Sequence, residues 1–214
     1  MNKSAEEVYY SLKDKFNSVK PYIAIPKDVA TASVTSAKEL GLIQLLYHCD
    51  GFYSSEENHL VWAEISIRKL SRESGIHRNT IRKTIESLAK KNNYIILNKV
   101  NSHVYINSPL RDENGFIIDY RSTFDRMNKD GLSLTERGVY LKLHLFWNNK
   151  HQCYPSLQRL AEECQLKVWQ LSKILTKLHT LGYIRKMTVS QGCIKKNYYH
   201  ILDKVHSNPI DTVF

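Results

Sequence analysis

The feature that most narrows the folds open to this chain is an internal repeat. "SAKELGLIQLL" (Ser36–Leu46) and "SLTERGVYLKL" (Ser133–Leu143) both read S-x-x-E-x-G followed by an aliphatic residue. Ser with Glu three places on is the capping box, in which each side chain satisfies an orphan backbone N–H at a helix start. Sliding Ser66 onto Ser156, an offset of 90 residues, brings Leu70 onto Leu160, Glu73 onto Glu163, Lys83 onto Lys173 and Leu88 onto Leu178. Ile67, Ile76, Ile81 and Ile85 fall on Leu157, Leu166, Leu171 and Leu175. With a one-residue slip, "NYI" (Asn93–Ile95) and "GYI" (Gly182–Ile184) close the two copies. A shared order of features over most of the chain predicts two related domains in tandem.

Each copy predicts the same elements. A capped helix (about Ser36–Cys49; about Ser133–Trp147) is followed by a short helix (Ser66–Ser74; Ser156–Cys164) and a tight turn with one aliphatic residue, Ile76 or Leu166. In the third helix Ile81, Ile85, Leu88 and Leu171, Leu175, Leu178 are spaced by four and three, which lines one helical face and points it into a core. Two β-like stretches come next, "YIILNKVNSHVYIN" and "YIRKMTVSQGCIKKNYYHI", with Asn101-Ser102 and Gln191-Gly192 as turn tips. In the first copy "HLVWAEI" reads as a further short strand within a longer loop. The order helix, helix, turn, helix, hairpin is that of a winged helix-turn-helix. The expected fold class is mainly α with small β-hairpins (α+β), built as two tandem winged helix-turn-helix domains. The boundaries read as a lead-in with an amphipathic helix (1–35), a first domain (36–107), a linker (108–131), a second domain (132–203) and a tail (204–214).

Charge narrows the partner. The 214 residues carry a formal net charge of +10, with a pI of about 9.4, which calls for a polyanion. Ser66–Lys91 holds eight Lys/Arg against two Asp/Glu, and so does Ser156–Lys196, so the two segments sum to +12 and the remainder to −2. The basic surplus thus lies wholly in the two helix-turn-helix and wing segments. No apolar run approaches the roughly 20 residues of a membrane span, and "MNKSAEEVYYSLKDKF" has charges where a signal peptide needs an apolar block. Four scattered cysteines (Cys49, Cys153, Cys164, Cys193) without a C-x-x-C pair read as reduced thiols of a cytoplasmic protein.

Both copies resemble the winged-helix domains of plasmid and phage replication proteins and of many bacterial regulators. The second, "YPSLQRLAEECQLKVWQLSKILTKLHTLGYI", is the nearer, through its Y-P-S opening, its L-A-x-E-C-x-L helix and its L-x-x-L-G-Y-I close. The first departs with "EISIRKL" at the opening and "KKNNYI" at the close.

In such a module the start of the third helix faces the major groove. In the first copy that exposes His77, Arg78, Asn79, Thr80, Arg82 and Lys83. Arg pairs bidentately with guanine and Asn with adenine, so Arg78 and Asn79 are the expected base readers, with Arg82 and Lys83 on bases or phosphates. Arg68, Lys69 and Arg72 on the preceding helix are expected on the backbone, which positions without specifying. The second copy exposes Lys167, Val168, Trp169, Gln170, Ser172 and Lys173. Gln170 suits adenine and Val168 a thymine methyl, while Trp169 is ambiguous, with packing against the neighbouring domain preferred to DNA contact. Arg185, Lys186, Lys195 and Lys196 make the second wing basic, whereas the first has little beyond Lys99 and His103.

No enzyme is expected. The chain has no G-x-x-x-x-G-K-[ST] phosphate loop, no H-E-x-x-H, and no Cys/His cluster at zinc spacing. Tyr198 and Tyr199 beside His200 lack the His-hydrophobic-His motif of nicking enzymes and read as wing-strand residues. No cofactor and no small-molecule effector are implied. The N-terminal helix, with Val8, Leu12 and Phe16 spaced by four, could make a homodimer or pack on its own first domain. The expected partner is double-stranded DNA. The preferred role is a plasmid- or phage-type replication initiator binding origin repeats, ahead of a transcriptional regulator at promoter operators and of a protein-binding assembly factor.

Overall fold

The computed structural model describes residues 22–31, 33–48, 52–55, 60–63, 66–91, 95–98, 103–106, 115–146, 152–153, 155–191 and 194–202. The amphipathic N-terminal segment, the hairpin tips at Asn101-Ser102 and Gly192, Lys99, Cys49, Cys193 and the tail lie outside them.

Both capping boxes form and start the two central helices, α1 (Ala37–His48) and α5 (Leu134–Leu143). Ser36 N–H donates to Glu39 Oε2 at 2.8 Å, and Ser133 N–H to Glu136 Oε2 at 2.8 Å. Every residue of α1 except Lys38 is buried. A helix buried all round has to sit at the centre of a fold. Its neighbour there is α5, and the approach is closest at the two repeated glycines. A Cβ on Gly41 would stand 1.9 Å from the Leu134 carbonyl oxygen, and one on Gly138 would stand 1.6 Å from that of Ala37. Gly41 and Gly138 are equivalent in the repeat, as are Ala37 and Leu134. The contact is therefore self-reciprocal, like that of a two-fold dimer, but within one chain.

Around this pair the two units have matching topology. In the first, β2 (Phe52–Ser55) and β3 (Leu60–Ala63) lead into α2 (Ile67–Ser74) and α3 (Arg78–Lys91), β4 (Ile95–Asn98) and β5 (His103–Ile106) follow, and the sheet order is β2-β3-β5-β4. In the second, β7 (Gln152–Cys153) leads into α6 (Leu157–Cys164) and α7 (Val168–Thr180), β8 (Ile184–Gln191) and β9 (Ile194–Ile201) follow, and the sheet order is β7-β9-β8. The order β3-β5-β4 repeats as β7-β9-β8, and "HLVWAEI" supplies β3 as expected. The molecule is two tandem winged helices. The inward aliphatics of both third helices are buried as their spacing predicts.

The apolar "FII" of the linker forms a strand, and its partner is the end of the lead-in. β1 (Tyr22–Pro26) pairs antiparallel with β6 (Phe116–Tyr120), Tyr22 opposite Tyr120 and Pro26 opposite Phe116. Directly after β6 comes α4 (Arg121–Lys129), which buries Phe124 and Met127. Strand pairing across so long a separation leaves no local signal beyond the apolar "FII".

Polar groups lock these parts together. Asp119 on β6 accepts from Gln44 Nε2 at 2.8 Å and bonds His48 Nε2 at 2.7 Å, and the His48 ring stacks on Phe124 at 4.3 Å. Arg137, fully buried, donates to Leu132 O at 2.9 Å and Asn128 Oδ1 at 2.7 Å and lies over the Phe124 ring. Buried Lys142 donates to Thr35 O at 2.7 Å, joining α5 to the segment before α1. Cys153 and Cys164 are buried free thiols, and burial pushes both up to about 12.

Two outcomes follow from this core. Gly138→Ala should destabilise by more than the ~1–3 kcal/mol of ordinary overpacking, because the obstacle is backbone. Gly75→Ala, at φ 71° with open space around it, should cost only the ~1–2 kcal/mol of a left-handed residue. Urea unfolding of the two variants gives the comparison. The second outcome concerns Lys142, whose ammonium burial pushes down to about 8 against the upward pull of Cys164, Glu163 and Glu39. The folded state then binds fewer protons than the unfolded one between about pH 8 and 10.5, so this residue makes stability rise with pH there. Lys142→Met should be more stable than wild type at pH 7, and the gap should shrink by pH 10, as read from urea midpoints.

Candidate nucleic-acid interface

In each unit the turn between the second and third helices needs a left-handed residue. Gly75 fills that position at φ 71°, and Gln165, its equivalent, at φ 54°. Ser74 Oγ takes the Ile76 N–H at 3.2 Å and closes the first turn. The third helix then leaves at an angle that buries its aliphatic stripe and presents its other face outward.

Capping-box carboxylates anchor the far ends of these helices. Glu39 accepts from Ser87 Oγ at 2.7 Å and from Lys91 Nζ at 3.1 Å, both on α3. Glu136 accepts from Lys177 Nζ on α7 at 2.8 Å. Burial pulls both carboxyls upward, yet the hydrogen bonds outweigh it and hold them below the usual range. One Glu thus starts the central helix and fixes the third helix in both units. From the capping box alone only the first task was visible, because the second depends on a residue 48 or 41 positions away.

The end of α7 is also held from outside its unit. Arg126 on α4 donates to the carbonyls of Leu181 and Gly182 and lies over the Tyr183 ring at 4.2 Å. Asp130 accepts from the Tyr183 hydroxyl at 2.7 Å. Cationic donors at a helix C-terminus complement its partial negative charge. No sequence signal marked Arg126.

The expected contact residues divide by environment. In the first unit Arg68, Arg72, Arg78, Asn79, Arg82 and Lys83 are exposed, while Thr80 is half-buried. Lys69 is half-buried and lies 3.9 Å from Glu73. Exposed His77 accepts the Asn79 N–H at its Nδ1 at 3.3 Å, so it caps α3. In the second unit Lys167, Val168, Lys173, Arg185 and Lys196 are exposed, and Gln170, Ser172 and Lys186 are half-buried. Gln170 Oε1 takes the Lys167 N–H at 3.1 Å and so closes the helix start. The side chain of Lys195 is not described. Among the described residues none of Arg78, Arg82, Lys83, Lys167, Arg185 and Lys196 is held in an ion pair. The cations at the helix ends, Lys91 and Lys177, are held by the two glutamates. Tyr199 is buried on β9, which pushes its hydroxyl up to about 12.

One expectation fails. Trp169 does not pack on the neighbouring domain; it is 56% exposed, and Lys173 Nζ stands 5.0 Å above its ring. The reason is its place on the helix. At about 100° per residue it lies about 160° round the axis from buried Leu171, on the face opposite the core stripe.

Among the described residues no group of three or more His, Cys, Asp or Glu could hold a metal ion, and no helix is long and apolar enough to cross a membrane. A helix-turn-helix domain family matches residues 130–184, the span from α5 to the end of α7. No curated protein matches the chain. Among solved structures, the fold is similar to that of the Pi initiator protein, in a crystal structure of its complex with iteron DNA. The TM-score is 0.51 and the identity 11%, and the match covers 86% of this chain and 98% of that one.

The two glutamates make a pH prediction. Carboxylates held low contribute stability above the unfolded value of about 4.5 and lose it as pH falls through the folded one. A Glu39→Gln, Glu136→Gln variant should lose about 1–3 kcal/mol per site at pH 7 and show a shallower decline toward pH 3 than wild type, measured by urea unfolding across that range.

Proposed function

We propose that this chain is a sequence-specific double-stranded-DNA-binding protein that carries two reading heads and acts as a plasmid- or phage-type replication initiator. The observation that carries the reading is the pair of third helices, each anchored at its far end by a capping-box glutamate and each presenting unpaired cations near its start. The net +6 of each helix-turn-helix and wing segment suits phosphate contact. Arg78 and Asn79 serve as base readers of the first head, Arg82 and Lys83 contact bases or phosphates, and Arg68, Lys69 and Arg72 contact phosphate. Val168, Gln170 and Ser172 sit at the start of the second with Lys167 and Lys173, and the wing cations Arg185, Lys186, Lys195 and Lys196 serve phosphate. Because α1 and α5 are in backbone contact, the heads are tethered stiffly, which raises the effective concentration for the second contact. The fold shared with the Pi initiator, itself crystallised on iteron DNA, favours the replication role over promoter regulation.

Selection from a random duplex pool at about 0.15 M salt, where phosphate-only binding is already weak, should recover a defined site with two half-sites. Copies of that site repeated within an origin support the initiator, whereas one or two copies over a promoter replace it with a regulator. Arg78→Ala should relax preference at one position and cost about 1–3 kcal/mol on the selected site. Equal weakening on every sequence would assign Arg78 to phosphate. Recovery of no site, with binding insensitive to salt, would point instead to a protein partner.

A further inference from the structure

The two heads present different chemistry at the same position. An offset of 90 places Trp169 where the first head has Asn79, and Val168 where it has Arg78. Lys83 and Lys173 are identical one turn further on. Asn79 and Trp169 each lie on the first turn of the third helix and stand about 160° round the axis from a buried aliphatic, Ile81 or Leu171. This is the outermost line of the helix. In the second head that line carries Trp169, at 56% exposure, beside Val168, at 40%. An apolar tip left in water on an otherwise basic helix calls for a partner that is apolar at one point and anionic around it. The cations beside it on the same helix start are Lys167 and Lys173, neither held by a described carboxylate. The Lys173 ammonium, 5.0 Å over the ring, holds the indole along the helix surface and adds positive charge beside it.

The major groove offers one apolar group, the C5-methyl of thymine, between two rows of phosphates. We infer that Trp169, together with Val168, reads thymine methyl groups, so that the second head selects a thymine-bearing half-site. The first head selects its half-site through hydrogen bonds to purines. A chain whose core contact is self-reciprocal therefore reads an asymmetric site. The inference rests on the DNA-binding reading above and assigns the base class that one head recognises.

Replacing each thymine of the selected duplex by uracil tests this, since uracil removes only the methyl and leaves pairing intact. For wild type, uracil at one or two positions should weaken binding about fourfold each, the worth of one buried methylene-sized group. Trp169→Ala should bind the thymine duplex more weakly, lose the uracil penalty at those positions, and keep the same salt slope, because no cation is lost. Trp169→Leu, still apolar, should retain part of the penalty. Trp169 is exposed, so thermal melting should be unchanged in both variants. If wild type shows no uracil penalty at any position, or Trp169→Ala shows the same penalties as wild type, the inference is overturned while the DNA-binding reading stands. If no duplex is selected, both fall together.

Discussion

The structure depends on the close crossing of α1 and α5. Backbone meets backbone where Gly41 faces Leu134 and Gly138 faces Ala37, at separations no side chain could share. Glycine gives up conformational entropy in a helix interior, and here the return is an interface without side-chain slack. Because both helices are buried nearly all round, each serves as the core of its own unit and as the wall of the other. The third helices, wings and connecting segment are all positioned relative to this crossing.

Polar groups at the crossing add register. Lys142 reaches the Thr35 carbonyl, Arg137 reaches Leu132 and Asn128, and Asp119 draws Gln44 and His48 toward β6. Burying cations is costly, and an apolar replacement is often as stable. What such groups supply is directionality: the Lys142–Thr35 bond links α5 to the segment that leads into α1, while the bonds of Arg137 and Asp119 fix the connecting segment on α5 and α1. Neither cation is repeated: the positions equivalent to Arg137 and Lys142 are Leu40 and Leu45. Pseudo-symmetry thus holds for the glycine contact and is broken in the polar layer around it, as it is broken again on the two reading surfaces.

At the candidate interface, legibility followed the range of each interaction. The stripes Ile81, Ile85, Leu88 and Leu171, Leu175, Leu178 were readable because helical period is local, and the outward position of Arg78, Asn79 and Lys83 came with them. His77 was readable as exposed, whereas Gln170 is half-buried, and the bonds of both to the helix start required coordinates. Trp169, expected against the neighbouring domain, is 56% exposed because its angular position on the helix lies opposite the buried stripe. Glu39 and Glu136 were recognised for one hydrogen-bonding task out of two, and Arg126 carried no pattern.

By itself the sequence determined the elements, their repetition and the location of the positive charge. Those properties follow from capping chemistry, helical period and composition, which act over a few residues. Only the tertiary structure decided that the repeated glycines face one another across the units and that lead-in and linker form a sheet. It also decided that each capping glutamate grips a helix some forty residues on. Those features come from contacts between residues far apart in the chain, where neither spacing nor propensity carries information and only the packing of the whole core selects a partner.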